Sequence, residues 1–208
     1  MRLLSCLFAC VVSLSVALYA NDWSQVVSIL EQSAVYVNSA DGSCTGFVIN
    51  AHAREKGDKD FVLTAAHCDG KELFAAHVPA VVVFKDEKKD LLILEVDDLD
   101  KPALKLAATD AKIGDEVASY GYGYNLERSM FRIAHVSDVA MYIPEGGVGG
   151  PFMMIDAAFV PGQSGGPVVN LAGEVVLIVQ RGSDSVGIGV GADIIRASVG
   201  RYFDKSVK

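Results

Sequence analysis

The chain has 208 residues, 51% of them hydrophobic and 21% charged, with a formal net charge of −8 at pH 7. That apolar share supports a sizeable core and excludes an intrinsically disordered chain. The acidic balance excludes nucleic acid and anionic membrane as main partners, because both reward clustered Lys and Arg.

Residues 1–20, "MRLLSCLFACVVSLSVALYA", join Arg2 to an apolar run that ends in small residues. This is the three-part pattern of a secretory signal peptide, and the run is short for a stable membrane span. Cleavage fits after Ala20 or after Ala17. A lipoprotein-type cut before Cys10 is opposed by the bulk of Phe8 and by the apolar residues that continue beyond it. The expectation is an exported protein, secreted or periplasmic, with no membrane segment once the signal is removed. Its removal takes away Cys6 and Cys10 and leaves Cys44 and Cys68, an even pair that predicts one disulfide in an oxidising compartment. The four histidines, His52, His67, His77 and His135, show no metal-ligand spacing, so no metal and no cofactor is expected.

Asp22 with Gln25 three positions on reads as a capping box, and Trp23, Val26, Val27 and Leu30 follow at helical spacing. A short N-terminal helix is predicted there. The period then changes. Short runs rich in Val, Ile, Phe and Tyr recur, among them "AVYVNS", "CTGFVINA", "FVLTAAH", "LLILEV", "EVASYGY", "FRIAHVSDVAMYI", "EVVLIVQ" and "VGIGVG". Turn-rich pieces such as "NSADGS", "FKDEKKD" and "NLAGE" separate them. Many short strands with turns between them predict an all-β sandwich or barrel. Ile194, Ile195, Val199 and Phe203 return to helical spacing and predict a terminal helix. No internal repeat is evident.

Ser164 lies in Gly162-Gln163-Ser164-Gly165-Gly166, a formal G-x-S-x-G. In α/β-hydrolases that pattern marks a nucleophile whose histidine follows it in the chain. Here the last histidine is His135, so that fold is excluded. Subtilisin-like order needs an α/β scaffold, which the strand pattern opposes. The order that remains is His, Asp, Ser. His67 ends a strand-like run beside Cys68, and a Cys44–Cys68 bridge would anchor its surroundings. Asp90 heads the apolar "LLILEV", where a carboxylate can be buried beside an imidazole. Asp86, inside the charged "KDEKKD", is the second choice.

"TAAHC", "DLLILEV" and "PGQSGGPVVNLAGEVV" resemble the three signature segments of the trypsin-like serine peptidases. Within them, "IDAAFVPGQSGGPVVN" and "VGIGVGADI" are most similar to the HtrA (Deg) branch, and the resemblance runs from about residue 22 to 205. It implies two antiparallel six-stranded β-barrels of chymotrypsin type with short N-terminal and C-terminal helices. The peptidase domain would occupy 21–208, with barrels at about 33–106 and 112–192 and the last helix at about 192–205. It also implies a serine endopeptidase acting on polypeptides through an acyl-enzyme. Ser164 would be the nucleophile, His67 the base and Asp90 the orienting acid. The backbone N–H groups of Gly162, Gln163 and Ser164 would form the oxyanion hole.

Several positions refine this expectation. Gln163 stands where trypsin-like zymogens carry an Asp, and no "IVGG"-like site occurs near the mature start, so activation by N-terminal cleavage is not expected. The glycine-rich "IPEGGVGGP", residues 143–151, is the expected mobile segment. Ala158 stands six residues before Ser164, where trypsin carries its charge. With Phe159, Gln180 and Ile188 as further pocket residues, cleavage after small or medium apolar residues is expected. The PDZ domains of HtrA proteins have no counterpart in these residues, and a stand-alone secreted peptidase is the simpler expectation. A binding protein without catalysis, or an esterase using the same three residues, are the alternatives. The motifs carry no indication of oligomeric state.

Overall fold

The computed structural model describes residues 22–49, 59–142 and 151–206. The signal segment and residues 143–150 of the expected mobile segment lie outside them. Runs of β-branched and aromatic residues favour a pleated, half-buried surface, and they pair here into twelve strands. The first six are β1 (Ala34–Ser39), β2 (Gly42–Ile49), β3 (Lys59–Thr64), β4 (Phe74–Ala75), β5 (Val78–Asp86) and β6 (Leu91–Asp97). The second six are β7 (Glu116–Tyr122), β8 (Ser129–Met141), β9 (Phe152–Ile155), β10 (Pro167–Val169), β11 (Val175–Gly182) and β12 (Gly187–Gly191).

Each set closes into an antiparallel barrel, β1-β2-β3-β6-β5-β4 and β7-β8-β9-β12-β11-β10. Closure gives every described strand a hydrogen-bonded neighbour on each side. The two barrels repeat one topology although the sequence shows no repeat, because strand pairing requires matching periods and not matching residues. The short β4 and β9 were missed in the sequence, since runs of two and four residues carry too little alternation to register.

Burial explains why "LLIL" in β6 is apolar throughout. Leu92 and Leu94 pack with Val35, Val48 and Val62 inside the first barrel. Leu91 and Ile93 point the other way, into a layer that also holds Leu30, Phe47, Leu63, Tyr120 and Ile178 from both halves of the chain. Side chains alternate along a strand, so a strand buried on both faces has no polar phase.

Helix α1 (Ser24–Ser33) buries Val26 and Leu30 in the shared layer. Its cap differs from the predicted capping box. Trp23 is the N-cap residue, and Asp22 Oδ1 instead accepts from the Ser24 N–H at 2.9 Å. Trp23 is held by burial and by its indole N–H, which donates to Glu116 at 2.9 Å. Helix α2 (Ala192–Ser206) leaves the second barrel and straps the first. Its Phe203 ring packs edge-on to Phe61 at 5.2 Å, and Arg201 pairs with Asp86 at 2.8 Å. No helix among the described residues is long and apolar enough to cross a membrane.

Phe47→Ala removes a fully buried ring from the layer between the barrels. It is expected to cost about 3–5 kcal/mol, read as a lower urea midpoint at unchanged slope. Ile113→Ala, at a position 64% exposed, should change stability by less than about 0.5 kcal/mol.

Candidate active site

Strand β3 ends at Thr64, and the chain then turns through a single 3-10 turn, Ala66–Cys68, that presents His67. Cys68 in that turn is bonded to Cys44 of β2, with Cα atoms 6.1 Å apart, so the predicted disulfide is present. It fastens the histidine turn to the barrel wall. Closing a loop of this length stabilises by about 3 kcal/mol.

Asp90 is the residue before β6 and is 6% exposed. Its backbone is left-handed, with φ 52°, a conformation Asp tolerates better than most residues. Both carboxylate oxygens face His67. Oδ1 accepts from the His67 backbone N–H at 2.8 Å and Oδ2 lies 2.8 Å from Nδ1. The ring is thereby oriented with Nε2 free to act. Asp86, the second choice, is instead bonded to Arg201 and Ser198 of α2.

The Ser164 turn belongs to the second barrel. Val160, Pro161, Gly162 and Gln163 form a β-turn closed by the Gln163 N–H on the Val160 carbonyl at 3.2 Å. Proline fixes φ at its position and Gly162 has φ +99°, which together define type II. In this turn type the Pro161–Gly162 peptide has one orientation. Its carbonyl accepts from the Tyr124 N–H at 2.7 Å, so the Gly162 N–H points to the opposite side. The Gln163 side chain reinforces the turn, Oε1 accepting from the Val160 N–H at 3.0 Å. Gln163 is 1% exposed, and its uncharged side chain is bonded to its own loop.

Among the described residues, the N–H groups of Gly162 and Ser164 meet no protein acceptor, whereas that of Gln163 is taken by Val160. Of the three N–H groups expected to act together, that of Gln163 is thus occupied within its own turn, and those of Gly162 and Ser164 are left open. The Ser164 hydroxyl donates to the Gln180 carbonyl at 3.5 Å and makes no hydrogen bond to His67. Both residues line one cleft of about 240 Å³.

Thr45 of β2, missed in the sequence, joins the two halves of the site. Its N–H donates to the Ser164 carbonyl at 2.8 Å and its hydroxyl to the Gly162 carbonyl at 2.9 Å. The same hydroxyl accepts from the Tyr122 N–H at 2.8 Å. Burial pushes the Tyr122 phenol above its ordinary pKa, with the nearby Tyr120 and Glu127 acting in the same direction, so it stays neutral.

The expected pocket residues separate on inspection. Phe159 is 7% exposed, and its ring occupies the space that side chains at Gly182 and Gly187 would need. A Cβ on Gly182 would lie 2.4 Å from Phe159 Cβ, and one on Gly187 would lie 2.1 Å from Phe159 Cε2. Ala158 precedes this ring and its carbonyl accepts from Arg132. Ile188 alternates to the other face of β12 and packs on the layer between the barrels, whereas Phe159 packs in the second barrel's own cluster. The Gln180 side chain, 3% exposed, donates to the backbone carbonyls of Lys89 and Asp90. It supports Asp90, and what it turns to the cleft is its carbonyl.

The remaining histidines lie elsewhere. His77 pairs with Glu127, His135 with Asp156, and His52 is outside the described residues. Cys44, His67 and Cys68 gather within 4.8 Å, but the two sulfurs are bonded to each other and offer no thiolate to a metal.

The sequence matches the trypsin-like peptidase domain family over residues 44–177. A probable periplasmic serine endoprotease DegP-like of Halomonas elongata is 36% identical over 142 residues, covering 68% of this chain and 27% of the relative. A protein of the same description from Pseudomonas fluorescens is 31% identical over 140 residues, covering 64% of this chain and 28% of its own. The chain thus spans little more than a quarter of the length of these relatives. Among solved structures, the active form of the Rv3671c protease of M. tuberculosis superposes with TM-score 0.70 at 29% identity, over 84% of this chain and 82% of its own. The serine endoprotease of Yersinia pestis superposes with TM-score 0.72 at 21% identity, over 90% of this chain and 68% of its own, a likeness of fold alone. The paired barrels, the order of His67, Asp90 and Ser164 along the chain, and the match over 44–177 agree: this chain belongs to the trypsin-like peptidase family.

Proposed function

We propose that the chain is a serine endopeptidase that cleaves polypeptides through an acyl-enzyme, with Ser164 as nucleophile, His67 as base and Asp90 as orienting acid. The observation that carries this reading is the two-point bond between His67 and Asp90, at 2.8 Å each, facing the cleft that also holds Ser164 and Gly162. Ser164 Oγ attacks the peptide carbonyl while its proton passes to His67 Nε2. The carbonyl oxygen gains negative charge and is met by the N–H groups of Gly162 and Ser164. Collapse breaks the C–N bond, and the proton on His67 leaves with the amine. Water, deprotonated by the same imidazole, then releases the acyl group. Asp90 holds the tautomer and stabilises the imidazolium.

The ring of Phe159 between Gly182 and Gly187 supports a shallow P1 pocket. Small and medium apolar side chains fit above it, and no charge stands at Ala158 to select Lys or Arg. We place the protein outside the cytoplasm. The signal-like residues 1–20, the Cys44–Cys68 disulfide and the periplasmic names of its relatives support that placement.

A fluorophosphonate should label the protein, and Ser164→Ala should abolish labelling and casein hydrolysis together. Label retained in Ser164→Ala would remove Ser164 as nucleophile. Asp90→Asn should lower kcat by about 10⁴ with the fold intact by circular dichroism. Near-normal turnover would transfer the orienting role to another residue.

Phe159→Ala should open the pocket and move preference from Ala and Val towards Leu and Phe at P1. Profiling of a peptide mixture by mass spectrometry reads the change. An unaltered P1 profile would show that the pocket lies elsewhere.

A further inference from the structure

Two cavities meet at His67. One, about 240 Å³, contains Ser164, Gly162, the Cys44–Cys68 bridge and the carboxylates of Asp41 and Asp69. The other, about 390 Å³, is lined by Ala66, Lys85, Glu87, Asp90, Gln180 and Arg181 together with His67. Four charged side chains line the second cavity besides the imidazole, and three are already paired. Lys85 lies 3.0 Å from Asp69 and 3.3 Å from Glu87. Both oxygens of Asp90 are occupied by His67.

Arg181 is the exception. Among the described residues its guanidinium meets no carboxylate and no other acceptor, and the residue is exposed in a protein whose net charge is −8. Its direction follows from its strand. The register of β11 on β12 shifts between Val179 and Arg181, an irregularity that re-aims side chains. The Gln180 side chain goes inward to Lys89 and Asp90, and Arg181 is turned out over the cavity.

We propose that Arg181 forms a subsite for a substrate carboxylate on the acyl side of the scissile bond. The cleft would thus favour chains with Asp or Glu a few residues N-terminal to the cut. This rests on the peptidase reading, which sets the direction of the bound chain. With the P1 side chain over Phe159, beside Gly182 at the end of β11, the preceding residues pass Arg181. The leaving chain crosses the disulfide towards Asp41, where an acidic side chain is repelled. A guanidinium can bind carboxylate through two parallel N–H bonds, which gives geometric selectivity as well as attraction. At an exposed position the expected preference is about two- to fivefold in affinity, reduced by salt.

The test measures binding to the Ser164→Ala protein by fluorescence anisotropy, so that it does not depend on turnover. Four labelled peptides share one apolar P1 residue. Three carry paired Glu, Gln or Lys N-terminal to it, and the fourth carries the Glu pair on the C-terminal side. The Glu peptide should bind about two- to fivefold more tightly than the Gln peptide and should exceed its inverted isomer by more. Arg181→Gln in the Ser164→Ala background should erase the preference, and Arg181→Glu should reverse it in favour of Lys. At about 0.5 M salt the differences should narrow. Equal or undetectable binding of the four peptides, or a preference that survives Arg181→Gln, overturns the proposal. If the Ser164→Ala protein selects the Glu peptide but the parent protein cleaves none of them, the subsite stands and the peptidase reading fails.

Discussion

The site depends on how closely two barrels can approach at one point, where Thr45 of the first meets the Ser164 turn of the second. Gly165 has φ +81°, and a Cβ there would lie 2.1 Å from the Thr64 hydroxyl and 2.2 Å from the Thr45 carbonyl. Only a residue without a side chain lets the turn settle against β2. Once it does, Thr45 bonds the carbonyls of both Ser164 and Gly162, at 2.8 and 2.9 Å. These groups are buried, so each bond left unmade would cost about 1–3 kcal/mol of uncompensated desolvation. The relative position of the barrels is therefore tied to the seat of the serine.

The dependence also runs the other way. His67 and Asp90 belong to the first barrel, yet the backbone carbonyls at Lys89 and Asp90 are held by Gln180 from the second. A left-handed aspartate heading a buried strand has few local contacts to fix it. Gln180 provides them from across the seam, and the same residue offers its carbonyl to the Ser164 hydroxyl. His67, Asp90 and Ser164 are thus positioned by reciprocal bonds between the barrels, and α2, which leaves the second barrel, is fastened to the first through Arg201 and Phe203.

Much of this was legible in the sequence. The absence of any histidine after Ser164 removed one fold, and the position of Asp90 ahead of an apolar run separated it from Asp86. Pro161 and Gly162 carry the signature of the turn they form. Other features were not legible. Thr45 is an ordinary strand threonine until a second barrel is placed against it, and Phe159 is one phenylalanine among nine until two glycines from different strands face it. Ile188 and Gln180 were read as pocket walls because they lie near the right strands. The bulge in β11 and the alternation of β12 decided where they point, and neither can be read from residue spacing alone.

The sequence by itself determined the barrel class, the disulfide pair and the order in which His67, Asp90 and Ser164 stand along the chain. These depend on residue type, period and chain order, which are local or one-dimensional properties. Only the tertiary structure decided, among the described residues, which N–H groups stay free beside Ser164, which side chain packs against Gly182 and Gly187, and which arginine stands unpaired over the cleft. Each is a relation between residues about 20 to 120 positions apart, set by strand register and by contact across the barrel seam. The turn with Pro161 and Gly162 at its centre has a local signature; the Tyr124 N–H and the Thr45 hydroxyl that hold it come from elsewhere in the chain.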